Sequence, residues 1–346
     1  MKKNSELKVM LKAKRKKCFH TSKKKARKLK GSRNAFRSFL MTRTTLKGLV
    51  YWLLGPDFWG LLNPKWSHCN KGRRQSPIDI NPDVLLFDPG LQAINIEGTH
   101  IKGSLLNTGR GLKFLVSANT TVIINGGPLS YEYTLNHLAL HYGREDDRGS
   151  EHTIGGIPFP GELQLYFYNS QLFDNWTHAS DQPNGLAAIA ILMQVSNDQK
   201  HLEGNSELKH VFEAIDAIKF KGSSTIVHRI KMDELLPALK HYITYDGSLT
   251  EPACFETVQW ILLNKPMYAT AHQFSLLRNS IHLEGYGDNF RPIQVINSRC
   301  VRTNIEHLDN SSNLENAFDE TEQNNVNYRR KLCKKSGYIT YKGMYK

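Results

Sequence analysis

The segment Leu135 to Gly143, written LNHLALHYG, places polar or small side chains at alternating positions. In a β-strand, residues two apart point to the same face, so His137, Ala139 and His141 share one face. Imidazoles spaced in this way are typical of a metal site, because a neutral histidine nitrogen is a good zinc ligand. The middle position is alanine, whose methyl group cannot bind a metal. The segment therefore predicts a strand that has the layout of a metal site and an incomplete set of ligands.

A second run, GELQLYFYN at Gly161 to Asn169, alternates in the same way. One face carries Glu162, Gln164 and Tyr166. If the two strands are neighbours, Ala139, His141 and Gln164 form a polar floor between them. The apolar residues of both strands then point the other way, into a core: Leu138, Leu140, Tyr142, Leu163, Leu165 and Phe167.

The elements that must position this floor are mostly strands. From about Trp52 to Asn304, short alternating or apolar runs are separated by Gly, Pro and Asn, among them LKFLV, TVIING, LAAIAILMQV and WILLNKPMY. This spacing predicts an extensive sheet. We predict helix only at Ser206 to Phe220 and in the short run MDELLPAL. The expected fold class is α+β and β-dominated, as a single domain over residues 49–304.

The two ends differ from this domain in composition. Residues 1–48 hold 18 Lys/Arg and one acid, Glu6, so the chain's net charge of +14 leaves −3 for the other 298 residues. This basic arm suits a nuclear signal, a polyanion-binding segment, a membrane-surface contact, or a solvated tail with no such role. Residues 305–346 are polar, and we expect them, like the arm, to be disordered.

Signals for cellular location point in two directions. The sequence shows no clear signal peptide and no apolar run of transmembrane length. Three glycosylation sequons, at Asn119, Asn175 and Asn310, favour an extracellular protein. The five cysteines include no CxxC pair and none with zinc-finger spacing, which argues against a structural zinc module. Those in the charged ends are Cys18 and Cys333.

Six separated motifs resemble the α-class carbonic anhydrase domain, in its order and at its spacing. They are RRQSPIDI, HYGREDDRGSEHTIGG, GELQLYFYN, PNGLAAIAI, YDGSLTEPACFETVQWILL and DNFRPIQ, between Arg73 and Gln294. The resemblance implies a large, mainly antiparallel twisted sheet with a few peripheral helices. Active members hold zinc with three histidines and use a zinc-bound hydroxide to attack carbon dioxide. Their ligand positions fall on Ala139, His141 and Gln164, so two of the three imidazoles are missing.

The resemblance also assigns the surroundings of the metal. The Glu and Thr that orient the zinc-bound water in active members match Glu151 and Thr250, and we expect a hydrogen bond between them. The proton-shuttle histidine falls on Arg110, which has no usable proton near neutral pH. A small aliphatic residue of the cavity wall is replaced by Tyr166, which should narrow the cavity. We therefore expect no bound zinc, no cofactor and no catalysis.

These departures resemble the inactive carbonic anhydrase-related proteins of the X/XI type. That branch is secreted, is linked to neuronal surfaces and binds neurexins, so the resemblance implies a non-catalytic extracellular protein-binding module. It also implies a disulfide between Cys69 and Cys254, which leaves Cys300 unpaired or engaged intermolecularly. Two alternatives remain open. One is an active enzyme whose zinc site is rescued by Gln164, His137 or solvent, and the other is a basic arm that binds nucleic acid or a membrane surface.

Overall fold

The computed structural model describes residues 55–196, 203–281 and 287–305. A sheet of 13 strands runs through this part of the chain in the order β11-β4-β5-β7-β9-β10-β13-β12-β15-β2, with β14 on β10 and with β3 and β6 attached beside β7. β1 and β8 form a separate two-stranded sheet. The strands are β1 Asp79–Ile80, β2 Leu86–Phe87, β3 Ile94–Glu97, β4 His100–Asn107, β5 Leu112–Val116, β6 Ile123–Gly126, β7 Tyr133–Tyr142, β8 Thr153–Ile154, β9 Gly161–Asn169, β10 Leu186–Val195, β11 Ser224–Lys231, β12 Tyr242–Gly247, β13 Val258–Leu263, β14 Met267–Ala269 and β15 Arg302–Thr303.

The helices in the described ranges are short and lie around this sheet. The α-helices are α1 Trp59–Leu62, α2 His68–Lys71, α3 Trp176–Ala179, α4 Ser206–Glu213, α5 Met232–Leu235 and α6 Ala271–Ser280, and 3₁₀ turns lie at Pro56–Phe58, Pro64–Trp66, Pro82–Val84 and Ile215–Ile218. Within the described part of the chain, no helix has the length and apolar character needed to cross a membrane. The predicted β-dominated fold is confirmed.

The central strands are buried on both faces. One face of β7, β9 and β10 packs into a large core that also contains Leu208 of α4 and Phe274 of α6. The other face packs into a second cluster around Trp260 and Tyr245. β10 is buried from Leu186 through Met193, which explains why its sequence is a continuous apolar run without alternation. Its pairing with β13 and β14 is parallel, whereas β7, β9 and β10 pair antiparallel.

The helix predictions need two corrections. The helix predicted for Ser206 to Phe220 starts at Ser206 but ends at Glu213, and a 3₁₀ turn follows it. This tighter turn buries both Ile215 and Ile218, which lie three residues apart on one side.

The longer helix α6 was not predicted. Its N-cap residue is Thr270. The Thr270 side chain accepts from the backbone N–H of Gln273, and the Gln273 side chain accepts from the backbone N–H of Thr270. This reciprocal cap is the local signal, T-x-x-Q, that periodicity alone overlooks.

Candidate functional site

The polar floor predicted between two strands lies between β7 and β9. Ala139 is directly opposite Gln164, and His141 is directly opposite Glu162. On the far side of β9, Ala190 of β10 also faces Gln164. Gln164 is therefore flanked by two methyl groups, which leave room for its side chain to turn toward polar partners.

Gln164 is fully buried and uses both ends of its amide. Its Oε1 atom accepts a hydrogen bond of 2.6 Å from the Tyr166 hydroxyl and lies 3.0 Å from Nε2 of His141. Its Nε2 atom donates to Glu151 at 2.9 Å and to Glu162 at 2.7 Å. The two carboxylates fix the orientation of the amide, because only the NH₂ group can donate to them. Gln164 thus links four polar side chains, of which Tyr166, Glu151 and Glu162 are buried and His141 is partly buried.

His141 is held from both sides of its ring. Its Nδ1 atom lies 3.0 Å from the backbone oxygen of Asn289 and 3.6 Å from a carboxylate oxygen of Glu151. Its Nε2 atom faces Gln164. Both partner atoms are acceptors, and a neutral imidazole has a single N–H, so the ring donates to one of them at a time. The ring nitrogen directed into the floor is therefore occupied by Gln164.

A second layer of buried polar groups supports this floor. Glu162 accepts from the backbone N–H groups of Glu151 and His152, and its other oxygen lies 2.8 Å from Nδ1 of His152. Nε2 of His152 lies 2.7 Å from the Tyr245 hydroxyl. Burial alone would raise the pKa of Glu162, but the neighbouring His152 and the hydrogen bonds outweigh it and lower this pKa to about 2. Glu162 is thus a buried carboxylate whose charged form is stabilised by these hydrogen-bond donors.

Glu151 and Thr250 are both buried, but they have other partners than the sequence predicts. Besides Gln164, Glu151 accepts from the backbone N–H of Arg291 at 2.9 Å. The Thr250 hydroxyl lies 3.4 Å from that of Tyr166. In the described structure, the Glu151 carboxylate thus accepts hydrogen bonds from Gln164 and Arg291, where a bond from Thr250 was expected.

Aromatic rings pack around His137 beside the polar floor. His137 stacks on Tyr166 with ring centroids 4.9 Å apart and meets the edge of Trp176 at the same distance. Its Nδ1 atom lies 2.9 Å from the side-chain oxygen of Asn136, and its Nε2 atom has no hydrogen-bond partner among the described residues. Burial, together with the charge of Lys113, lowers the pKa of His137 to about 3. His137 is therefore neutral, and its ring packs against those of Tyr166 and Trp176.

An ion pair lies beside these rings. Lys113 of β5 is directly opposite Ala139, and its ammonium group contacts the carboxylate of Glu251. Partial desolvation would raise the pKa of Glu251, but the charge and the hydrogen bond of Lys113 lower it to about 2. Sequence reasoning missed both residues of this pair. The alternation of LKFLV places Lys113 opposite the apolar face of its strand, but nothing local in the sequence indicates a partner 138 residues away.

The remaining predicted site residues lie outside the floor. Arg110 is half-buried between β4 and β5, where its backbone N–H donates to the Thr108 hydroxyl. Asn119 is exposed in the turn after β5, and Asn175 is exposed at the start of α3, where its side chain accepts from the backbone of His178. The third sequon, at Asn310, lies outside the described residues.

The cysteines give one confirmed prediction and one correction. Cys69 and Cys254 form a disulfide with their Cα atoms 5.1 Å apart. It packs against Trp59. Cys300 is also disulfide-bonded, so the expectation that it could be unpaired is wrong. Cys18 and Cys333 lie outside the described residues as well.

The floor does not fit a zinc ion. The Ala139 position offers a methyl group, and the Gln164 amide is taken by the four side chains that it links. A glutamine oxygen is also a poor match for zinc compared with imidazole. Within residues 55–196, 203–281 and 287–305, no three His, Cys, Asp or Glu side chains are grouped so that they could hold a metal.

Comparison with known proteins identifies the family of the chain. The chain is 38% identical over 266 residues, 73% of its own length and 77% of the relative's, to a Caenorhabditis elegans protein that carries the name carbonic anhydrase-like protein 2. The model of the eukaryotic-type carbonic anhydrase family matches residues 54–305, which include every residue of the polar floor. The chain therefore belongs to the eukaryotic-type carbonic anhydrase family.

Proposed function

We propose that this chain is a catalytically inactive carbonic anhydrase-related protein that acts outside the cell as a protein-binding module. The observation that carries the first part is the Gln164 amide, which bonds to His141, Tyr166 and two carboxylates where a third imidazole would be needed. The expected partner, by resemblance to the X/XI branch, is a neuronal cell-surface protein of the neurexin type. No cofactor is expected.

The energetics of metal binding support the inactive assignment. A structural zinc site contributes roughly 10–16 kcal/mol, or about 3–4 kcal/mol for each of four ligands. Two missing ligands would remove about 6–8 kcal/mol, which is on the order of 10⁵-fold in affinity. Here the loss is larger, because zinc would also have to break the hydrogen bonds that Gln164 makes with buried carboxylates.

The test of the inactive assignment is zinc stoichiometry together with carbon dioxide hydration. The purified chain would be equilibrated with a small excess of zinc, desalted and analysed for metal. We expect no retained zinc and no hydration above the uncatalysed rate. The double variant Ala139→His with Gln164→His is the positive control and should retain one zinc per chain, while Gln164→His alone should not. One tight zinc and turnover in the parent chain would show an enzyme instead.

The test of the extracellular role uses the full chain expressed in animal cells. We expect it in the medium, with a mobility shift on glycosidase treatment that is lost when Asn119, Asn175 and Asn310 are all changed to Gln. The secreted chain should bind a purified neurexin ectodomain in an interferometry assay. Recovery from the cell lysate alone, without glycan, would overturn the extracellular assignment and leave the zinc result unaffected.

A further inference from the structure

The sheet ends in a strand whose outer edge is free in the described part of the chain. β11 pairs with β4 on one side, and no described strand pairs with its other side. A free edge presents unpaired N–H and C=O groups to any extended chain that can lie beside it. Proteins usually blunt such edges. Here a bulge between Val227 and Ile230 interrupts the second half of the strand, but the half from Ser224 to Val227 pairs regularly with β4.

Two large apolar side chains lie exposed on the outer face beside this edge. Ile226 of β11 is 67% exposed, and Leu115 of β5 is 43% exposed. Ile226 is directly opposite Ser104 of β4, and Ser104 is directly opposite Leu115. The three residues therefore form one row across three strands. The next residue of this row is His137, which is buried, so the exposed part of the row ends at Leu115.

The same three strands are basic. The sequences of β4, β5 and β11 are HIKGSLLN, LKFLV and STIVHRIK, which contain no Asp or Glu. Their Lys/Arg residues are Lys102, Lys113, Arg229 and Lys231. Lys113 and Lys231 are bonded to Glu251 and Glu234.

Lys102 and Arg229 lack such a partner. Among the described residues, neither has a carboxylate within ion-pair distance, and Arg229 is exposed. Because residues 49–346 carry a net charge of −3, this positive face is a local concentration of charge and not a general property of the domain. We call the outer face of β11, β4 and β5 the edge face.

We propose that the edge face is a docking surface for an extended acidic segment of a partner protein, which adds as a strand to the free edge of β11. The proposal rests on the protein-binding function proposed above and assigns its surface. Carboxylates of the segment would pair with Lys102 and Arg229, and its apolar side chains would cover Ile226. The backbone edge supplies affinity, while the side-chain row supplies specificity.

Other anionic occupants fit these features less well. A sulfated polysaccharide would satisfy the basic residues, but it would leave Ile226 exposed and could not extend the backbone pairing. Residues 306–328 of this chain carry six acids and no Lys/Arg. They lack the alternation of apolar and polar residues that a strand on a half-buried face requires.

The test measures binding of labelled probes to the full chain by fluorescence anisotropy. The probes are the acidic peptide GEVEIEVEG, its basic counterpart GKVKIKVKG and a heparin decasaccharide. We expect the acidic peptide to bind at least about tenfold more tightly than the basic one and to weaken as salt rises. Hydrogen exchange of the first half of β11 should slow when the peptide is bound. Equal binding of both peptides, or tight binding of heparin alone, would overturn the proposal.

Matched variants locate the surface. Ile226→Glu and Lys102→Glu should each lower the affinity for the acidic peptide by about tenfold. The controls are Ile157→Glu, at a residue 65% exposed beside β8, and Lys265→Glu, at an exposed turn; both should stay within about twofold of the parent. Controls that weaken binding as much as the edge-face variants would contradict the assignment.

Two further comparisons separate the remaining outcomes. Neutralising the six acids of residues 306–328 in the full chain should leave peptide affinity unchanged. A tenfold gain would show that this segment covers the edge face and would overturn the assignment to a partner.

If the neurexin ectodomain binds the parent and the Lys102→Glu chain equally, the docking surface is wrong while the binding function stands. If it binds neither chain and no peptide binds, the binding function itself fails.

Discussion

Nε2 of His141 lies 3.0 Å from Oε1 of Gln164, so the histidine that remains at a ligand position is bonded to the residue that replaces another ligand. The two side chains satisfy each other where both would otherwise face a metal. The same glutamine separates Glu151 and Glu162 by donating one hydrogen to each. The site is thus a hydrogen-bond network centred on Gln164.

Gln164→Ala should destabilise the fold strongly. The substitution removes one hydrogen bond from each of two buried carboxylates and from the Tyr166 hydroxyl, and each such loss at a buried group costs about 1–3 kcal/mol. We expect a loss of about 3–5 kcal/mol in the free energy of unfolding, measured by urea denaturation. The matched control is Gln182→Ala at an exposed turn, which should change stability by less than about 0.5 kcal/mol. Equal effects of the two variants would show that the network contributes nothing specific.

Much of the fold follows from alternation in the sequence. Leu163, Leu165 and Phe167 point into one core, and Gln164 and Tyr166 lie on the opposite face, as period two requires. What alternation cannot give is strand order. The parallel pairing of β10 with β13 joins segments that are far apart in sequence, and their uniformly apolar residues fit several neighbours equally well.

The site was predicted well where residues share a strand pair and poorly where they do not. To predict that Ala139 lies opposite Gln164, only the alternation of side chains along a strand and the adjacency of the two strands were needed. The partner of Glu151 could not be predicted in this way. Its bond to Gln164 depends on where the loop after β7 folds back, and its bond to the backbone of Arg291 spans 140 residues. Such contacts are set by tertiary packing.

His137→Phe should flatten the acid side of the stability profile. The pKa of His137 is about 3 in the folded state and 6.5 in its ordinary range. Between these values the unfolded chain binds one more proton than the folded chain, so His137 makes stability fall as pH falls, by about 1.4 kcal/mol per pH unit. Phenylalanine keeps a ring beside Tyr166 and Trp176 and removes this slope.

The measurement for His137→Phe is urea unfolding at several pH values from 6.5 down to 4. The exposed His210→Phe serves as the control and should retain the parent slope. An unchanged slope in His137→Phe would mean that this ring takes up a proton in the folded state.

Glu251→Gln should have a small effect, in contrast to Gln164→Ala. The Glu251 side chain is 41% exposed, and exposed ion pairs contribute about 0.2–1 kcal/mol. The pKa of Glu251 is lowered to about 2, so its contribution is present above its ordinary range near 4.5 and is lost as pH falls toward 2. Thermal unfolding at pH 7 in low and high salt measures it. A loss above about 2 kcal/mol, insensitive to salt, would instead indicate a structural role beside the polar floor.

Removal of the Cys69–Cys254 disulfide should be the most costly of these changes. The bond closes a loop with a sequence separation of 185, for which the chain-entropy model gives about 5 kcal/mol. Because Cys300 is also in a disulfide, chemical reduction would mix two effects, and the double variant Cys69→Ser with Cys254→Ser is cleaner. Urea unfolding gives the magnitude. Hydrogen exchange should show opening of α1 and α2, which contact the bond through Trp59 and Cys69, before the central strands. Uniform exchange across all strands would show that the bond stabilises the whole sheet and not this N-terminal corner.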